Sequence, residues 1–88
     1  MSDYMSIIIP GFNEEKMILE TLKRVVAFCT SNVSQFEIIF VDDGSRDRTW
    51  SLVKREFYDI PFFKAISCNV NRGKGFAVRK GMLAAQGT

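Results

Sequence analysis

The fold is decided by one stretch of the sequence, Glu37-Ile38-Ile39-Phe40-Val41-Asp42-Asp43-Gly44-Ser45, in which four apolar residues run directly into two aspartates and a glycine. A short, continuous apolar run rich in β-branched residues is typical of a strand covered on both faces of a parallel sheet. Aspartate and glycine favour a tight turn. The stretch therefore predicts a buried strand over residues 37–41, followed by a turn.

Two runs of the same character flank this strand, one over residues 5–10, which we expect Pro10 to end, and one over residues 63–67. Between the strands, apolar residues recur at helical spacing, first as Ile18, Leu22, Val25 and Cys29, and then as Trp50, Val53 and Phe57. A third helix is expected over residues 75–85. The alternation predicts a βαβαβα α/β fold, a Rossmann-like three-layer arrangement with parallel strands in the order 3-2-1 and right-handed crossovers.

Polar residues mark the expected starts of the first two helices. Asn13 is suited to cap the first helix, and Glu14 and Glu15 would then lie in its first turn, where the helix dipole favours carboxylates. Asp47 is suited to cap the second helix. These residues predict helix starts directly after the loops that follow the first two strands.

The composition indicates one small domain. The chain has 88 residues, a net charge of +2 and no histidine. The near-balanced charge gives no reason to expect nucleic acid as a partner, and the missing histidine excludes Ser-His-Asp and Cys-His sites within these residues. Cys29 and Cys68 lack metal-ligand spacing and are expected to be reduced, partly buried thiols.

No apolar run reaches the roughly 20 residues that span a bilayer, and the first residues lack a signal-peptide pattern. We therefore expect a single partial domain over residues 1–88. Its expected location is cytoplasmic, or at the cytoplasmic face of a membrane in a longer parent protein.

The expected ligand site lies at the carboxyl ends of the strands, where open parallel sheets bind ligands. Three segments follow strand ends, over residues 10–14, 42–45 and 69–75. Asp42 and Asp43 could both serve the turn, or one could support it while the other accepts hydrogen bonds from a base N–H or a ribose hydroxyl. Neighbouring strand residues point to opposite sides, which is compatible with two separate roles.

The other two segments carry residues that also have two interpretations. Glu14 could reach a nucleotide or serve the helix dipole, and Phe12 could flank a base or pack on the first helix. Arg72 and Lys74 could meet a diphosphate at a helix start or form a solvated basic turn. An anionic ligand or ordinary solvated faces would each explain the basic residues of the C-terminal third, which are Lys64, Arg72, Lys74, Arg79 and Lys80.

Three segments, taken together, are far more specific than any one alone. They read Ile7-Ile8-Ile9-Pro10-Gly11-Phe12-Asn13-Glu14-Glu15, then Val41-Asp42-Asp43-Gly44-Ser45-Arg46-Asp47-Arg48-Thr49, then Asn71-Arg72-Gly73-Lys74-Gly75-Phe76-Ala77-Val78-Arg79-Lys80-Gly81. In this order and spacing they resemble the opening of the family-two inverting glycosyltransferases, over nearly the whole chain. The third segment looks most similar to the polyprenyl-phosphate branch, especially dolichyl-phosphate glucosyltransferase-like enzymes.

The resemblance implies a GT-A fold that binds a nucleoside diphosphate sugar. The residues that fall in the family's three loops are Pro10, Phe12, Glu14, Val41, Asp42, Asp43, Arg72 and Lys74. Within this set, Val41 and Asp43 match positions that meet the base and ribose, and Asp42 matches the supporting carboxylate. No catalytic or metal-binding residue is implied within the chain.

The resemblance further implies an acceptor that could be a polyprenyl phosphate at a membrane, and a divalent metal, Mg or Mn, in the full-length parent. The family's Asp-x-Asp metal motif would follow one strand after Gly87, whereas the chain ends at Thr88. Since the metal neutralises the leaving diphosphate, we expect this chain alone to bind no metal and to show no transferase activity.

Two other classes stay open, a receiver-like or flavodoxin-like binding module and a non-catalytic interaction protein. The predicted strand order also leaves residues 6–10 as an apolar edge strand, which is a template for association. The isolated chain is therefore expected to self-associate through this edge, to aggregate, or to remain partly molten.

Overall fold

The chain forms alternating strands and helices in the part that the structure describes. The computed structural model describes residues 4–68 together with Gly81 and Ala85. The elements are strand β1 (Tyr4–Gly11), helix α1 (Ile18–Asn32), strand β2 (Gln35–Asp42), helix α2 (Thr49–Phe57) and strand β3 (Phe63–Ser67). The predicted third helix lies outside the described residues, apart from Gly81, which is helical, and Ala85, the predicted last residue, which is not.

The three strands form one parallel sheet in the order β1-β2-β3, with β2 in the centre. This confirms the predicted α/β sheet and its strand order. The register aligns Gly11 with Asp42, and Asp42 with Ser67. The carboxyl ends of all three strands therefore lie side by side, and the loops that leave β1 and β2 begin at this edge.

The prediction that Pro10 ends the first strand was wrong, because β1 continues through Pro10 to Gly11. Within the described residues β1 pairs with β2 along one side only. Proline is tolerated in such an edge strand, where its missing N–H can fall on the unpaired side. Self-association through this edge stays a prediction.

The first helix starts later than its sequence suggested. Asn13 is not its cap, because α1 begins at Ile18 with Met17 at the cap position and no side-chain cap hydrogen bond. A turn precedes the helix, in which the carbonyl of Glu14 accepts the N–H of Met17 at 3.0 Å and that of Ile18 at 2.8 Å. Glu14 and Glu15 thus lie before the first helical turn.

The core occupies both faces of the sheet. On one face, α1 and α2 cover β2 with the cluster Ile18, Leu22, Phe40, Val53 and Phe57. Both helices lie on the same face, as right-handed crossovers between neighbouring parallel strands require. The other face carries the cluster Ile39, Val41 and Cys68, with Ile8, Ile66 and Ala85 packed against it. Both faces of the sheet therefore carry core residues, as a strand buried on both faces predicts.

Both cysteines are free and buried, as expected of reduced thiols. Burial raises the pKa of the Cys29 thiol, so the group is held in its neutral form. Both side chains therefore serve as small apolar residues of the core.

A charged residue also lies in the central strand. Glu37 is 2% exposed, and its carboxylate accepts the hydroxyl of Ser6 on β1 at 2.6 Å. The ammonium of Lys64 on β3 lies 3.0 Å from the other carboxylate oxygen. A buried carboxylate needs polar partners, and Glu37 on β2 finds one on each neighbouring strand. The contacts therefore connect all three strands.

Candidate functional site

The candidate site is built from two loops at the carboxyl edge of the sheet. The first loop, residues 12–17, connects β1 to α1, and the second loop, residues 43–48, connects β2 to α2. Because β1 and β2 are neighbours in register, the two loops leave the sheet side by side. The segment predicted to complete the site, residues 69–75, lies outside the described residues.

Two buried aspartates lie at the end of the central strand, Asp42 as its last residue and Asp43 as the first residue of the second loop. Asp42 is 2% and Asp43 is 4% exposed. One Asp42 oxygen accepts the N–H of Ser45 at 3.0 Å, closing a turn in which Gly44 has a φ of 77°, a conformation that glycine adopts readily. The N–H of Asp43 donates to the carbonyl of Gly11 at 2.9 Å. Asp42 thus supports the loop, which is one of the two roles that the sequence suggested for the aspartates.

The Oδ1 atom of Asp42 is buried and has no hydrogen-bond partner within the described part of the chain. A buried carboxylate oxygen that lacks a donor is costly, and such atoms occur at binding sites. The end of β2 therefore offers an acceptor to a donor group from outside residues 4–68.

The first loop turns tightly over a buried ring. Gly11 is buried, and a Cβ there would lie 2.6 Å from Cε1 of Phe40. The carboxylate of Glu14 folds back and accepts the N–H of Phe12 at 3.3 Å. Both Phe12 and Glu14 are exposed, so the loop presents an aromatic ring and a carboxylate at the edge of the sheet.

Asn13 connects the two loops directly. Its N–H donates to the hydroxyl of Ser45 at 2.8 Å, and its Oδ1 accepts the N–H of Arg46 at 2.8 Å. Asn13 has a φ of 50°, in the left-handed region that asparagine enters more readily than most residues. The side chain that sequence reasoning assigned to a helix cap thus binds the second loop.

A second set of hydrogen bonds lies behind Asn13. The N–H of Glu14 donates to the buried Thr49 hydroxyl at 2.8 Å, and that hydroxyl donates to Oδ1 of Asp47. The other Asp47 oxygen accepts the N–H of Glu15 at 3.2 Å. The prediction that Asp47 caps α2 was wrong, because the cap position is Arg48 and has no side-chain cap hydrogen bond. Asp47 lies one residue earlier and accepts the N–H of Thr49 at 2.9 Å.

The protonation of Asp47 reflects these contacts. Partial removal of water raises the pKa of its carboxyl, but hydrogen bonds from the hydroxyl and N–H of Thr49 and from the N–H of Glu15 outweigh this effect. The pKa of Asp47 is therefore held below its usual range, and the carboxylate stays ionised in its role as acceptor.

Two open clefts border the loops. One, of about 310 Å³, lies at the ends of β2 and β3 and is lined by Asp42, Gly44, Ser45, Arg46, Trp50, Ser67 and Cys68. The other, of about 300 Å³, is lined by Asn13, Glu14, Glu15, Lys16, Met17 and Asp47. The cleft at the strand ends combines a buried carboxylate, a guanidinium and an indole, which are groups that recognise polar and aromatic ligands.

The structure brings most of the predicted site residues to one edge. These are Pro10, Phe12, Glu14, Asp42 and Asp43. Val41 differs, because it is fully buried in the second core cluster, where its side chain packs the sheet. Arg72 and Lys74 lie outside the described residues. The assignment of all these residues to a nucleotide stays a prediction.

Sequence reasoning missed the contacts that hold the two loops together, namely Asn13 with Ser45 and the N–H of Glu14 with the hydroxyl of Thr49. A usable signal existed, because short polar side chains follow the ends of two neighbouring strands. Within residues 4–68, 81 and 85, no group of three His, Cys, Asp or Glu side chains could hold a metal ion.

Comparison with known proteins places the chain in a family. Residues 6–88 match the sequence profile described as Glycosyl transferase family 2. The chain belongs to glycosyl transferase family 2. The family-2 match spans both loops of the candidate site, so the three segments singled out in the sequence identified the family correctly.

Two curated relatives are similar to the chain over nearly its whole length. The undecaprenyl-phosphate 4-deoxy-4-formamido-L-arabinose transferase of Pseudomonas syringae is 40% identical over 86 residues, which are 96% of this chain and 25% of the relative. The dolichyl-phosphate beta-glucosyltransferase of Saccharomyces cerevisiae is 38% identical over 90 residues, covering 96% of this chain and 27% of the relative. The chain thus spans about a quarter of the length of these relatives.

A solved structure agrees with the fold. The mannosyltransferase PcManGT from Pyrobaculum calidifontis, in complex with GDP-Man and Mn²⁺, superposes with a TM-score of 0.86 at 25% identity, over 99% of this chain and 26% of that one. The similarity confirms the predicted GT-A type of α/β fold. No helix of the described residues has the length and apolar character needed to cross a membrane.

Proposed function

We propose that the intact protein containing these residues transfers a sugar from a nucleoside diphosphate sugar to a polyprenyl phosphate, and that the edge formed by the two loops binds the nucleotide. The observation that carries the proposal is the buried Asp42-Asp43 pair at the end of the central strand, with the exposed Phe12 and Glu14 beside it. Membership of glycosyl transferase family 2 and the printed names of both curated relatives support it.

The proposed roles divide between support and contact. Asp42 holds the second loop through the N–H of Ser45, and Asp43 accepts hydrogen bonds from the base or ribose. Phe12 and Glu14 border the nucleoside from the first loop, and Pro10 borders it from the end of β1. Val41 contributes only by packing the sheet beneath the end of β2. Arg72 and Lys74 are proposed to meet the diphosphate, whose charge suits cations near a helix start.

A divalent metal, Mg or Mn, belongs to the proposal for the intact protein, since a similar mannosyltransferase is solved with Mn²⁺. The described residues do not fit a metal site by themselves, because no three of their carboxylates and thiols lie close enough together to hold a metal ion. The described residues bind and orient the donor.

The proposal also covers location. A polyprenyl phosphate is a lipid, whereas a nucleoside diphosphate sugar is soluble in water, so transfer between them takes place at a membrane surface. We place that surface on the cytoplasmic side, where the reduced thiols of Cys29 and Cys68 are stable.

The test is nucleotide binding by the intact protein, measured by titration calorimetry with GDP and with UDP. Asp43→Ala should weaken binding about 10- to 100-fold, the equivalent of roughly 1–3 kcal/mol for a hydrogen bond to a charged group. Asp59→Ala is the matched control, because Asp59 is an exposed aspartate that follows α2 and lies away from the two loops. An unchanged affinity of a folded Asp43→Ala variant would contradict the role of Asp43.

A further inference from the structure

The inference begins with the backbone of Asn13. Its φ of 50° is a conformation that most residues avoid at a cost of about 1 kcal/mol, so a specific set of contacts must favour it. In this conformation the N–H and the side-chain oxygen of Asn13 both meet the second loop, at Ser45 and Arg46. Two hydrogen bonds from one residue fix both the distance and the register between the loops.

The position of Asn13 gives these contacts a consequence for the site. Asn13 stands between Phe12 and Glu14, and its partner Ser45 stands two residues after Asp43. The residues proposed to touch the nucleotide therefore lie on both sides of the Asn13–Ser45 contact. If the loops separate, Phe12 and Glu14 move relative to Asp43, and the nucleotide loses simultaneous contact with both.

We infer that Asn13 is a positioning residue, which holds the first loop in register with the second so that a nucleoside diphosphate meets both. The inference rests on the proposed function, because its readout is nucleotide affinity. A helix-capping role does not account for the contacts, since neither hydrogen bond goes to α1. Both bonds are exposed, and exposed bonds contribute little to global stability.

The test compares three variants of the intact protein. Asn13→Gly keeps the left-handed backbone accessible and removes the side-chain oxygen. It should raise the Kd for GDP or UDP about five- to tenfold, the effect of a lost hydrogen bond. Asn13→Asp retains an acceptor oxygen and should restore affinity to within about twofold of wild type. The control is Asn32→Gly, since the side chain of Asn32 also makes a hydrogen bond to the backbone, donating to the carbonyl of Phe28 at 2.9 Å at the far end of α1.

A second measurement uses the other bond. Ser45→Ala removes the hydroxyl that accepts the N–H of Asn13 and should weaken binding by a similar factor. The double variant with Asn13→Gly should lose less than the product of the two factors, because both bonds hold the same contact. Melting temperatures of Asn13→Gly and Asn32→Gly should fall by similar amounts.

The outcomes separate this inference from the proposed function. If wild type binds neither nucleotide, the proposed function fails and the inference fails with it. If wild type binds and Asn13→Gly binds equally well, the inference alone is overturned. A loss that Asn13→Asp does not restore, or one matched by Asn32→Gly, would also overturn the positioning role.

Discussion

Replacement of Gly11 by alanine tests the packing beneath the first loop. The added Cβ would lie 2.6 Å from Cε1 and 3.0 Å from Cζ of Phe40. Carbon atoms pack best at about 3.5–4.0 Å, so the shorter contact is roughly 1 Å too close. The Phe40 ring is fully buried between β2 and the two helices and has little freedom to move. We expect Gly11→Ala to lower the free energy of unfolding by about 1–3 kcal/mol, the usual cost of overpacking.

The assay is urea unfolding, with a second substitution to identify the clash. Phe40→Leu removes the ring atoms that the Cβ would meet, and by itself should cost about 1–2 kcal/mol through the space it leaves. Combined with Gly11→Ala, it should cost about 1–2 kcal/mol less than the sum of the single changes, because the methyl group fills that space. Additive losses, or a Gly11→Ala variant as stable as wild type, would refute the packing argument.

Three further predictions concern stability. Lys64→Met should destabilise the fold more than Glu37→Gln does, by about 1–2 kcal/mol. The first change removes the ammonium that lies 3.0 Å from the buried Glu37 carboxylate, whereas after the second change the half-exposed Lys64 can turn to water. Equal losses of stability in chemical denaturation would contradict this. Folding lowers the pKa of Asp47, so the carboxylate contributes fully to the stability of the fold at neutral pH. This contribution is lost as the pH falls through the pKa of the unfolded state and then that of the folded state. Asp47→Asn should therefore lose less stability than wild type between neutral and acidic pH, and parallel pH curves would speak against it. Gly81→Ala should destabilise by about 1–3 kcal/mol despite the better helix propensity of alanine, because its Cβ would lie 2.5 Å from Cγ2 of Ile8; a raised thermal midpoint would show that the two residues do not pack closely.

The sheet, the order of its strands and the edge that carries the candidate site could all be predicted from the sequence. The apolar run from Ile38 to Val41 that precedes Asp42 and Asp43 predicted the central strand, because a strand covered on both faces is typically a continuous apolar run. The third strand lies where its composition placed it, over Phe63–Ser67. The motif segments identified the family, since their residue types and spacing are read directly from the chain.

The pairing of the polar groups could not be read from the sequence, because it depends on the tertiary structure. Asn13 looked like a helix cap because capping depends on neighbours in sequence, but its partners in the second loop lie 32 and 33 residues away. The carboxylate of Glu37 likewise finds Ser6 across 31 residues. Such contacts depend on the register between neighbouring strands and on a left-handed backbone at one asparagine, and a local pattern specifies neither of these.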